Sequence, residues 1–109
     1  MTVATASNGE LEHLRVIVYR EGDVYVAQCL EHDIATQGPD IPAALERLDL
    51  TIDAECAISK EAGGKAFDRI PSAPNYFHTL WDKRSMTLTH VHLPVGHHFE
   101  MEVAYAKAA

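Results

Sequence analysis

The sequence predicts an α+β fold: an antiparallel three-stranded sheet with one long helix packed on it, then a short helix and a C-terminal β-hairpin. Three features carry this reading. Two β-rich runs, LRVIVYR and VYVAQCL, flank Glu21-Gly22-Asp23; apolar residues recur at helical spacing from Ile41 to Cys56; and two alternating runs, MTLTHVHL and HHFEMEVAYA, meet at Pro94-Val95-Gly96. With 109 residues, 47% of them hydrophobic and 23% charged, the chain can bury one ordinary core as a single domain.

Gly-Asp is a two-residue turn pair, so Leu14 to Leu30 reads as a β-hairpin. Val16 and Val18 fall on one face and Ile17 and Tyr19 on the other, with Val24 and Val26 opposite Tyr25 and Ala27. Such a sheet needs apolar cover on both sides. A third strand, Ile34 to Gln37, follows the polar bend Glu31-His32-Asp33 and stops at the breaker Gly38-Pro39. Asp40 is placed to cap the next helix, Pro42 sits in its first turn, and Ile41, Leu45, Leu48, Ile52 and Cys56 form its apolar stripe until Gly63-Gly64. Pro71 and Pro74 interrupt the stretch after Lys65, and a short helix is expected from Pro74 to Lys83 with Ser72 as its cap. A loop at Pro94-Val95-Gly96 sets Leu93 opposite His97, His92 opposite His98 and His90 opposite Glu100. The expected division is a flexible tail over 1-12, a sheet-and-helix core over 14-62, and the short helix with the hairpin over 65-109.

The balance of 16 acidic against 9 basic residues gives a formal charge of -7. The cations are dispersed, with no run longer than Lys83-Arg84, whereas phosphate-backbone binding needs them clustered, so DNA is not an expected partner. An acidic domain suits a basic protein partner, although a negative surface is more often simply a solubility device. Cys29 and Cys56 lie in apolar surroundings, where cysteine acts as a small hydrophobe. Met1 to Glu10 lacks the basic head and apolar run of a signal peptide, and no stretch approaches the ~20 apolar residues of a membrane span. A cytoplasmic protein without a membrane is the expectation.

The stretch VYREGDVYVAQCLEHDIATQGPDIPAALERLDLTI carries a resemblance. Its second-strand segment Val24 to Leu30, turn Thr36-Gln37-Gly38 and helix start Ala44-Leu45 resemble the N-terminal domain of the HicB antitoxins, over roughly residues 16-58. The resemblance implies a degraded ribonuclease-H-like fold, β-β-β-α-β, that has lost its catalytic carboxylates and binds a small basic ribonuclease toxin of double-stranded-RNA-binding-domain shape. The physical logic of the segment agrees. Gly38 lets the chain swing off the third strand, Asp40 caps, and Ala44 is small enough for close helix-on-sheet packing; Leu14 to Arg20 contains no acidic residue. The chain departs from the family pattern at Ile41, Pro42 and Ala43, where members often carry Thr and paired Glu. It also shows no ribbon-helix-helix or helix-turn-helix pattern after Gly64.

Three constellations could carry chemistry. Cys29, His32 and Asp33 are the residue types of a thiol triad, but they sit within one short segment, whereas triads are assembled from separated ones beside an oxyanion hole. A buried cysteine before a polar bend is the simpler reading. His90, His92 and His98 with Glu100 would share one hairpin face and could hold zinc or nickel; the same alternation makes that face the ordinary polar side opposite Phe99, Met101 and Val103. Tyr76, Phe77 and Trp81 form an aromatic stripe suited to core or oligomer packing. No phosphate loop, HExxH, GxSxG or CxxC is present, and no cofactor is expected.

The sequence therefore favours a non-catalytic protein-interaction module, a HicB-like antitoxin or orphan relative that binds a small basic protein, over a metal-binding protein using the C-terminal histidines. A homodimer or dimer of dimers is expected, because the second apolar face of the sheet calls for cover from the hairpin, the short helix or another copy. Trp81, Phe99, Met101 and Val103 are the candidate interface or core residues.

Overall fold

A computed structural model of the chain describes residues 12–64, 67–88 and 99–107. Gly22 has a φ of 61°, the conformation that a type II′ turn reserves for glycine at its first central position. It closes β1 (Glu12–Glu21) onto β2 (Val24–Cys29), with Glu21 opposite Val24 and Val16 opposite Cys29. The third strand, β3 (Ala35–Gly38), pairs antiparallel with β2. Two helices follow, α1 (Ile41–Glu61) and α2 (Asn75–Asp82), and then β4 (Met86–Thr87) and β5 (Phe99–Tyr105).

The α+β class holds, but the sheet is not the expected antiparallel three-stranded one. It has five strands in the order β3-β2-β1-β5-β4, and it is mixed. β4 and β5 do pair antiparallel, yet the longer partner of β5 is β1, alongside which it runs parallel from Glu12↔Phe99 to Val18↔Tyr105. The reason is the second edge of β1. A ten-residue strand apolar on both faces leaves a row of unpaired backbone groups beside two hydrophobic surfaces, and a strand with matching alternation satisfies both at once. β4 is two residues long. Met86 faces Tyr105 and Thr87 faces Ala104; the expected pairs Leu93–His97, His92–His98 and His90–Glu100 each involve a residue outside the described ones. Pairing with β1 fixes the facing of β5: Met101 and Val103 lie beside Leu14 and Val16, and a one-residue slip between β1 and β5 would turn them to the other face.

Each face of the sheet has its own core. On one, Leu14, Val16, Val18, Ala27, Cys29, Met101 and Val103 pack under Ala44, Leu45, Leu48 and Ile52 of α1. On the other, Ile17, Tyr19, Val26, Leu30, Ala104 and Ala106 pack under Leu80 and Trp81 of α2. The second face thus receives its cover from the short helix, one of the three sources the sequence allowed.

The helix boundaries follow local chemistry. The Asp40 carboxylate accepts from the Ala43 N–H at 2.8 Å, satisfying one of the four amides that a helix N-terminus leaves open. Asp40→Ala is expected to lower stability by about 1 kcal/mol in urea unfolding, whereas Asp40→Asn keeps the cap and most of that energy. Gly63, at φ 80°, ends α1. Ser72 does not cap α2, which begins after Pro74 with no side-chain cap. Its hydroxyl lies 3.1 Å from the Leu30 carbonyl and 3.0 Å from Nε2 of His78, so it fastens the end of the hairpin to α2 instead. Phe67 adopts a left-handed φ of 67°, costly for a side-chain-bearing residue; its ring is buried in the α1-side core and stacks on His32 at 4.2 Å.

Candidate interaction site

Among the described residues the structure gathers a set of polar residues that the sequence did not single out. Cys29 is buried in the core, His32 stacks on Phe67, and Asp33 accepts from the buried Gln28 amide at 2.9 Å. Burial of Cys29 in the core is what the simpler reading of this segment expects. His90, His92 and His98 lie outside the described residues. Glu100, their expected companion, accepts from Nδ1 of His13 at 3.2 Å. Among the described residues, no group of three or more His, Cys, Asp or Glu is arranged to hold a metal ion.

His13 lies between two carboxylates because the parallel pairing sets it opposite Glu100 and places Arg15 opposite Glu102. Its Nε2 is 3.1 Å from Glu102. Both ring nitrogens can donate together only in the imidazolium form, so Glu100 first and Glu102 second raise the His13 pKa against a small opposing effect of burial. The stabilisation this adds to the β1–β5 junction is fully present below the ordinary histidine value of about 6.5 and is lost as pH rises through the higher folded value. The side chain is half exposed, so the effect on global stability is small. The expected result is an NMR titration of His13 with its midpoint above that of a free histidine, returning toward it in Glu100→Gln, Glu102→Gln. An unshifted midpoint would mean that the two contacts do not persist in solution.

A second cluster lies on the α2 face. The Glu31 carboxylate accepts from the Arg15 backbone N–H at 2.7 Å and from its Nε at 2.6 Å, tying the bend after β2 to β1. The Arg15 and Arg84 guanidiniums stand 5.7 and 4.7 Å from the centre of the Trp81 ring, in reach of cation–π attraction. Trp81, offered by the sequence for core or oligomer packing, is buried within the chain, as are Met101 and Val103. Phe99 opens β5 opposite Glu12, and its side chain falls outside the described part of the structure. Gly38 and Ala44 come close together: a Cβ built on Gly38 would lie 2.7 Å from the Ala44 nitrogen.

One surface was not singled out from the sequence. On the outer side of α1, Leu50 is 64% and Ile58 48% exposed, with the exposed Ala54 and Ala57 between them. The signal was available as the spacing Leu50, Ala54, Ile58, a second helical stripe offset from the buried one. The exposed carboxylates Glu46 and Glu61 stand at its two ends and Asp53 beside it. Among the described residues, no helix is long and apolar enough to cross a membrane.

Comparison with known proteins gives no significant match: no family model matches the chain, and neither does a curated protein or a solved structure.

Proposed function

We propose that this chain is a non-catalytic protein-interaction module, a HicB-like antitoxin or an orphan relative, which acts by binding a small basic protein. The observation that carries the reading is the succession of elements. Three antiparallel strands pass through the tight Gly38 junction into an Asp40-capped helix, and a later strand returns to the same sheet. The full order is β-β-β-α-α-β-β, and β1, β2, β3, α1 and β5 taken in turn support the β-β-β-α-β succession that the resemblance implies.

Two further features support it. The interior of β1, Leu14 to Arg20, carries no carboxylate, and its apolar residues are buried on both faces of the sheet, so the middle of that strand offers no acidic group with which to position a hydrolytic metal ion. The formal charge of -7 favours rapid encounter with a cationic partner. A cytoplasmic location and a homodimer or dimer of dimers belong to the same proposal. For assembly, the support is that, among the described residues, β3 and β4 stand at the two edges of the sheet with no further strand beside them.

Purification of the chain from its native host tests the reading. The expected result is a stoichiometric small basic protein in the eluate that cleaves RNA alone and stops doing so when this chain is added back, with light scattering giving a mass well above one chain of 12.0 kDa. Elution without such a protein, or undiminished cleavage after addition, overturns the proposal. A mass equal to one chain overturns its homo-oligomer component.

A further inference from the structure

Helix α1 is apolar on two sides. Its inner side, Ala44, Leu45, Leu48 and Ile52, is consumed by the sheet. Its outer side presents Leu50 and Ile58, 64% and 48% exposed, with two alanines between them that let another backbone come close. Neither large side chain contributes to the core beneath, and covering such a residue is worth about 1.5–3 kcal/mol. Contiguous apolar surface of this kind, rimmed by charge, marks an interaction site more often than scattered single residues do.

The rim selects the occupant. Glu46, Asp53 and Glu61 border the stripe. Arg47 carries its guanidinium to the β3 edge, where it donates to the Gln37 carbonyl at 2.7 Å, and the exposed charges along this side of the helix are then Glu46, Asp53 and Glu61 against Lys60. A second copy of the chain docked here about a two-fold axis would bring acidic rims together, whereas lysine and arginine would pair with them. The α2 side is the competing surface, with Tyr76 56% exposed. There the neighbours are Lys83 and Lys107 around a small hollow over Leu80, which repel a cationic partner.

We infer that the outer face of α1 is the docking site for a basic amphipathic helix of a protein partner. Leu50 and Ile58 receive its apolar side, and Glu46, Asp53 and Glu61 receive its lysines or arginines, in the manner of helix-in-groove recognition. The inference rests on the partner-binding reading above and adds the surface and the partner's chemistry.

The test uses the full chain and a labelled synthetic helix with leucine on one face and lysine on the other, followed by fluorescence anisotropy in low-salt buffer. Its control is the same peptide with glutamate in place of lysine. The wild-type chain is expected to bind the lysine peptide and not the glutamate one. Leu50→Ala, Ile58→Ala should weaken that binding about tenfold or more, since two aliphatic contacts are lost. The triple variant Glu46→Lys, Asp53→Lys, Glu61→Lys should reverse the preference, and Tyr76→Ala on α2 should change nothing. All these side chains are exposed, and circular dichroism checks that each variant folds.

Equal binding by the Leu50, Ile58 variant overturns the inference, as does an unreversed preference in the triple variant. A fall in light-scattering mass on replacing Leu50 and Ile58 also overturns it, by making a second copy the occupant. The two readings fail separately. A native basic partner retained equally by the wild type and the Leu50, Ile58 variant removes this surface and leaves the function. Stripe-dependent peptide binding with no basic partner in the native eluate removes the function and leaves the surface.

Discussion

Trp81→Ala is expected to lower the unfolding free energy by about 3–5 kcal/mol, the range for deleting a buried tryptophan side chain. That is a large share of the roughly 5–15 kcal/mol that holds an ordinary domain together. Trp81 is 5% exposed and lies in the last turn of α2, packed with Leu80 over Ile17, Tyr19, Val26, Leu30, Ala104 and Ala106. An eight-residue helix is far below the length that is stable alone in water, so α2 persists because its apolar side is buried. Removing the indole opens the second face of the sheet and leaves the Arg15 and Arg84 guanidiniums without the ring they approach. Trp81→Phe, which keeps an aromatic ring there, should recover more than half of the loss. Urea unfolding followed by circular dichroism is the measurement, because the chain's one tryptophan is the residue being removed. A loss below about 1 kcal/mol for Trp81→Ala, the size of an ordinary surface change, would show that the α2 side is not a cooperative part of the fold.

Gly38→Ala should cost about 1–3 kcal/mol, the usual range for overpacking. The added methyl would lie 2.7 Å from the Ala44 nitrogen, 2.9 Å from the Ala43 Cβ and 3.0 Å from the Ala43 carbonyl carbon. Two of these atoms belong to the backbone of the first turn of α1, so no rotamer change relieves the overlap and the helix itself must shift. Gly22→Ala is the informative comparison. Nothing lies within 4 Å of a Cβ there, and the loss comes from the φ of +61° instead, a conformational penalty of about 1 kcal/mol. The two substitutions therefore separate by location. Hydrogen exchange should accelerate in the first turn of α1 for Gly38→Ala, and at the β1–β2 turn for Gly22→Ala. Unchanged exchange at Ala43 and Ala44 in Gly38→Ala would contradict the close approach of helix and strand.

The His13 titration and the α1 docking surface depend on how distant segments are brought together. His13 and Glu100 are 87 positions apart, and no local pattern announces that they meet. Arg15 and Glu31 are nearer in sequence, yet their pairing depends on how the bend after β2 folds back. The acidic rim of α1 was visible as charge, but its meaning depends on which side of the helix the sheet occupies.

What the sequence by itself determined are the features whose cause is local. The turn at Gly22-Asp23, the Asp40 cap, the buried stripe of α1 and its end at Gly63 each follow from backbone preference or side-chain spacing within a few residues. The need to cover both faces of β1 was also legible, since alternation along one strand reveals which residues share a face. Which element answers that need was not legible, because the hairpin, the short helix or a second copy would each satisfy the same periodicity. The tertiary structure alone decided that α2 covers the second face, that β5 runs parallel to β1, and that Met86 faces Tyr105. A strand's alternation fixes which residues point up or down but not its neighbour, its direction or its register. Those are set by matching two apolar faces and a row of backbone hydrogen bonds simultaneously across the whole sheet. Phe67 makes the same point on a smaller scale: its unfavourable local conformation is held by the burial of its ring, an energy that exists only once the core around it has formed.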